Sequence, residues 1–143
     1  MRDLFHNLGI AEAIPPAEYD ADNTPAAIDL LGFESALLAI HVGVGGITFS
    51  GTNKIEFKLT HSDDDSDYAA VTADDLIGLS SVGAGGIVLA LTTAHAAASI
   101  TRVGYVGGKR YLKLLADFSG THGTGTPIAA TVVKGHAHER PVA

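Results

Sequence analysis

Glycine clusters cut this chain into strand-length pieces. Gly43-Val44-Gly45-Gly46, Gly83-Ala84-Gly85-Gly86 and Gly107-Gly108 interrupt apolar runs before any of them reaches the length of a stable helix. Glycine has no Cβ and accepts the positive φ of tight turns, so such clusters read as reversals. Between them the side-chain period is 2. Ile55, Phe57 and Leu59 point one way while Glu56, Lys58 and Thr60 point the other, the mark of a sheet with one wet face. Residues 100–106 and 110–118 alternate in the same way, and their connection through Gly107-Gly108 predicts a hairpin. Residues 36–42, 87–91 and 128–134 are more continuously apolar and predict buried strands.

This gives six to eight short strands with no βαβ spacing. The predicted fold is mainly β, a compact antiparallel β-sandwich or small β-barrel with at most one or two short helices. One helix start is visible, where Thr72 precedes Asp74 and Asp75. Aromatic residues make up only 6% of the chain and Trp is absent, so Ala, Val, Ile and Leu must build the core around Ile55, Phe57, Leu59, Leu112, Leu114 and Phe118. Residues 1–25 show no period, and Ile14-Pro15-Pro16 and Pro25 favour extended backbone, so they read as an N-terminal arm. The arm is expected to be mobile until it meets a partner. Residues 26–135 form the β domain and 136–143 a polar tail.

Charge is divided along the chain. Residues 1–75 carry 14 acidic and 3 basic groups, a net of −11; residues 76–143 carry 2 acidic and 6 basic groups, a net of +4. Either one domain exposes two differently charged halves, or an acidic face meets a basic one between molecules. The overall −7 disfavours nucleic acid as a partner, because displacing counterions needs a cationic surface. Residues 35–53 and 76–101 lack charged side chains, but Gly, Ser, Thr and His break them, so neither reads as a membrane span.

Chemical motifs fail on spacing. With no Cys there is no thiolate site or disulfide. The acidic run at residues 63–67 matches an EF-hand at positions 1, 3 and 5, but Tyr68 stands where the loop needs Gly and Asp74 where it needs Glu. It reads as a solvated turn. His136 and His138 flank Ala137, whereas His6, His41, His61, His95 and His122 are scattered, so no metal site is predicted. His41, inside an apolar run, reads as a hydrogen-bonded core or interface residue. No phosphate-binding glycine motif, nucleophile elbow or paired-carboxylate site is present. No enzyme activity, catalytic residue or cofactor is expected.

Four segments carry a resemblance. Met1-Arg2-Asp3-Leu4-Phe5-His6-Asn7, Ile55-Glu56-Phe57-Lys58-Leu59-Thr60-His61-Ser62-Asp63-Asp64, Gly104-Tyr105-Val106-Gly107-Gly108-Lys109-Arg110-Tyr111 and Gly135-His136-Ala137-His138-Glu139-Arg140-Pro141-Val142-Ala143 resemble small tailed-bacteriophage and prophage virion proteins encoded among the head genes. The resemblance implies a protein made in the host cytoplasm that decorates or cements the outside of the capsid. Its partners would be the major capsid protein and further copies of itself, with a trimer favoured. Relatives in that setting also form the head–tail joint or the tail. A carbohydrate-binding jelly roll is a different reading of the strand and acidic turn between Phe57 and Tyr68, for which the lack of Trp leaves few stacking platforms.

Overall fold

The computed structural model describes residues 3–142. Ten strands make up almost all the regular structure: β1 (Gly9–Tyr19), β2 (Ile28–Asp29), β3 (Phe33–Val42), β4 (Lys54–Ser62), β5 (Ala69–Ala70), β6 (Leu76–Ile77), β7 (Ile87–Leu91), β8 (Ser99–Tyr105), β9 (Tyr111–Ser119) and β10 (Thr126–Ala137). They form two antiparallel sheets of a sandwich that does not close into a barrel. Sheet A runs β1-β10-β3-β8-β6. Sheet B runs β2-β9-β4-β5, with β7 beside β5 along the same edge of β4. The helix start at Thr72 yields one 3₁₀ turn, Ala73–Asp75, where Asp75 accepts the Thr72 backbone N–H at 2.8 Å and its hydroxyl at 2.9 Å.

The core lies between the sheets and follows the period read from sequence. Ile55, Phe57 and Leu59 from β4 meet Leu112, Leu114 and Ala116 from β9, all fully buried. Leu38, Ile40, Val103, Ala130 and Val132 close over them from sheet A. Phe118, expected in the core, is only partly buried against it. It sits near the end of β9, where its ring meets the His122 ring with centroids 4.7 Å apart.

The predicted boundary between arm and domain is corrected. Gly9–Tyr19 is an edge strand of sheet A, paired with β10 from Gly9↔Lys134 to Tyr19↔Thr126. Two register shifts, between Glu12 and Ile14 and between Ile14 and Ala17, destroy its period. They put Ala13 and Ile14 in the core as neighbours. Pro15 and Pro16 are tolerated because they fall in the second shift, between Ile14 and Ala17, where this edge strand has no ladder partners. The segment is extended, as expected, but it is docked on its own chain. Similarly, β10 continues to Ala137, so the predicted tail begins inside a strand. Residues 1, 2 and 143 of the arm and tail lie outside the described residues.

The hairpin expected at Gly107-Gly108 is a crossover. β8 belongs to sheet A and β9 to sheet B. The chain arches over the Tyr105 ring, which a Cβ on Gly107 would meet at 2.6–2.7 Å, so only glycine fits there. Tyr105 Oη accepts the Lys109 N–H at 3.2 Å and lies 3.0 Å from His61 Nδ1 across the core. A turn signal states that the chain reverses, not which sheet receives it.

The outer edge of β9 is closed by two side chains. β2 covers only Tyr111 and Leu112. Beyond it, Asn23 Oδ1 accepts the Ala116 N–H at 2.7 Å and Asn23 Nδ2 donates to the Leu114 carbonyl at 3.2 Å. Asp22 then accepts the Phe118 N–H at 2.7 Å. The two side chains stand in for a strand and leave less open edge for pairing.

Candidate functional site

The two outward faces of the sandwich differ in chemistry. On sheet B, Lys58 pairs with Asp117, and Lys54 with Glu56 at 2.7 Å. Lys113 stands 3.7 Å from Asp65 and 4.1 Å from the centre of the Tyr68 ring. This face is finished by ion pairs and a cation–π contact.

The outer face of sheet A is largely apolar across four long strands, with Glu12, Thr131, His41 and Arg102 interspersed. Its rows follow from register. One row reads Ile10, Val133, Leu37, Gly104 and Ile77 across β1, β10, β3, β8 and β6. The next reads Glu12, Thr131, Ala39 and Arg102, and the third contains Ala129, His41 and Ile100. Ile10 is 73% exposed, Ile100 64% and Ile77 61%. An open groove of about 920 Å³ crosses the face beside Pro16, His41, Ile100 and Ala129. Apolar side chains exposed together on one face make it the candidate interaction surface of the molecule. Glu12 and Arg102 sit at opposite margins, and neither joins an ion pair among the described residues.

His41 is therefore not a core residue. It projects outward from β3 into this face, because Ile40 and Val42 on either side take the inward positions. The sequence run at residues 36–42 was apolar at almost every position, and the fold uses only alternate ones for its own core.

The acidic turn is organised from within. Asp64 accepts the N–H groups of Ser66 and Asp67 at 3.0 and 3.1 Å and the Ser62 hydroxyl at 2.8 Å, which hold its carboxyl well below the usual range. Asp63 pairs with Lys109, and Asp65 accepts the Tyr68 hydroxyl at 2.5 Å. Burial, reinforced by that carboxylate, pushes the Tyr68 phenol up. The carboxylates thus serve separate partners. Among the described residues no three His, Asp or Glu side chains stand where they could share a metal.

The remaining histidines are dispersed. His136 Nδ1 lies 2.7 Å from Ser35 Oγ, and His138 Nε2 lies 3.3 Å from Glu34. His61 is buried against Tyr105, and His122 packs near Phe49 and Phe118 with Nε2 2.8 Å from the Ser119 carbonyl.

The charge division is partly closed within the chain. Asp29, Asp63 and Asp65 of the acidic half pair with Arg110, Lys109 and Lys113 of the basic half. The Arg110 guanidinium bonds Asp29 through Nε at 2.8 Å and Nη2 at 2.7 Å, and lowers its carboxyl to about 2.

No protein-family model and no curated protein matches the chain. Among solved structures, the crystal structure of the SPBc2 prophage-derived protein YomS is similar, with a TM-score of 0.51 and 9% sequence identity. The match covers 90% of this chain and 92% of that one, so the likeness is one of fold over nearly the whole length of both.

Proposed function

We propose that the chain is a non-enzymatic structural component of a phage particle, which binds the major capsid protein on the outside of the head and stabilises it. The observation that carries this reading is the uncovered apolar face of sheet A, exposed over β1, β10, β3 and β8. A rigid sandwich with such a face is suited to completing its packing in an assembly. The four sequence segments that resemble virion proteins, and a prophage-derived neighbour in fold, support placing that assembly in a phage. No helix of the described residues is long and apolar enough to cross a membrane.

The test is to make particles lacking this protein and heat them beside complete ones. Earlier genome release, reversed by adding the purified protein, is the expected result. Particles of equal stability that lack tails would assign the chain to the head–tail joint and overturn the capsid reading.

A further inference from the structure

We propose that the outer face of sheet A is covered by the same face of a second copy, related by a twofold axis that runs parallel to the strands between β10 and β3. The inference rests on the same face as the proposed function: a second copy takes that face, and the capsid would then meet the remaining surfaces of the pair.

The sequence itself points to a second cover. Residues 36–40 (Ala-Leu-Leu-Ala-Ile) and 128–130 with 132–133 (Ile-Ala-Ala, Val-Val) are apolar on both sides of their strands. Strands with one wet face alternate, as β4 does; strands apolar at successive positions belong between two layers. One cover is sheet B; Leu4, Leu8 and Arg140 border the outer face beside Leu37 and Val133, and the rest of that face has no cover among the described residues.

Charge selects the occupant and its orientation. A twofold axis along the strands exchanges β1 with β8 and β10 with β3. In the shared row of the register it lays Glu12 over Arg102 of the partner subunit, and Arg102 over the partner's Glu12. An axis across the strands would instead oppose Glu12 to Glu12 and Arg102 to Arg102. Like charges opposed across a docked face are unfavourable, so one arrangement is favoured.

Shape agrees with charge. The same operation faces exposed Ile10 with the partner's Gly104, and Leu37 with the partner's Val133. Ile100 falls on the bulged part of β1, where Ile14, Pro16, His41 and Ala129 line a depression of about 390 Å³. Small residues, Ala39 and Thr131, meet at the centre and allow the sheets to approach to about 10 Å, the usual separation of stacked sheets. Four strands about 4.8 Å apart, over about seven residues each, outline roughly 450 Å² in flat projection. Side-chain relief brings the accessible area toward the ~800 Å² per partner of a standard interface.

The experiment measures the mass of the full-length protein in solution by light scattering and sedimentation equilibrium. A dimer of 14.7 kDa chains is expected. Glu12→Arg and Arg102→Glu are exposed substitutions, and circular dichroism should show both variants folded. Each alone should weaken dimerisation by about tenfold or more, since each places two like-charge contacts in the homodimer. Mixing the two variants should restore a dimer, because both contacts in the mixed pair are then opposite in charge. Ile100→Asp should weaken the dimer with no such rescue. A wild-type monomer at tens of micromolar (roughly the range of a weak dimer) would overturn the proposal. So would a trimer or other oligomer indifferent to all three substitutions.

Discussion

Removing the Asn23 carboxamide leaves the Leu114 carbonyl and the Ala116 N–H without partners on a largely buried strand edge. Orphaned buried groups of this kind cost about 1–3 kcal/mol. Asn23→Ala should therefore lower the unfolding free energy by that amount, read as a lower urea midpoint with little change in slope. Nothing in the sequence marks this residue: Asn23 precedes Thr24-Pro25 and reads as part of a turn, and its partners lie 91 and 93 positions away. Asp29 makes a different kind of contribution. Its folded pKa, about 2 against an ordinary 3.8, means that its carboxylate favours the folded state above pH ~4. That contribution fades as pH falls from about 4 to about 2, and it is small because both partners are two-fifths exposed. Carboxyl NMR should place the Asp29 titration near 2, and Arg110→Gln should move it back toward 3.8.

Among elements, β4 and β9 were legible because one face is wet and the other buried, so polarity alternates cleanly. β1 was not, because its two bulges shift the inward positions and its prolines mimic an arm. Its true state has a measurable consequence. Amides of residues 9–12 that point toward β10 should exchange slowly in the isolated protein, and limited proteolysis should spare residues 9–19 without any partner present. Rapid cleavage there would restore the mobile arm. β8 and β9 show the complementary limit of period-2 reasoning. Each strand was found in place, yet their connection leaves one sheet for the other, since alternation reports a strand's two faces and not its neighbours.

For the molecule as a whole, the division into acidic and basic halves was visible in the sequence, but its use was not. Asp29, Asp63 and Asp65 reach Arg110, Lys109 and Lys113 only once β9 lies over the first half of the chain. The apolar outer face of sheet A was legible in fragments, as runs that did not alternate; which of their positions stay uncovered depended on the register of four strands far apart in the chain. The order of sheet A also governs how the protein is made. β10 lies between β1 and β3, yet it is translated after both. More than a hundred residues separate the end of β1 from the start of β10. At about 5–20 residues per second, a nascent chain holds β1 without its partner for roughly 5–20 s. During that interval Pro15, Pro16 and the charges of Glu12 and Glu18 disfavour pairing of a solitary strand with a neighbour on the same polysome, which makes the least regular strand of the sheet the one best suited to waiting.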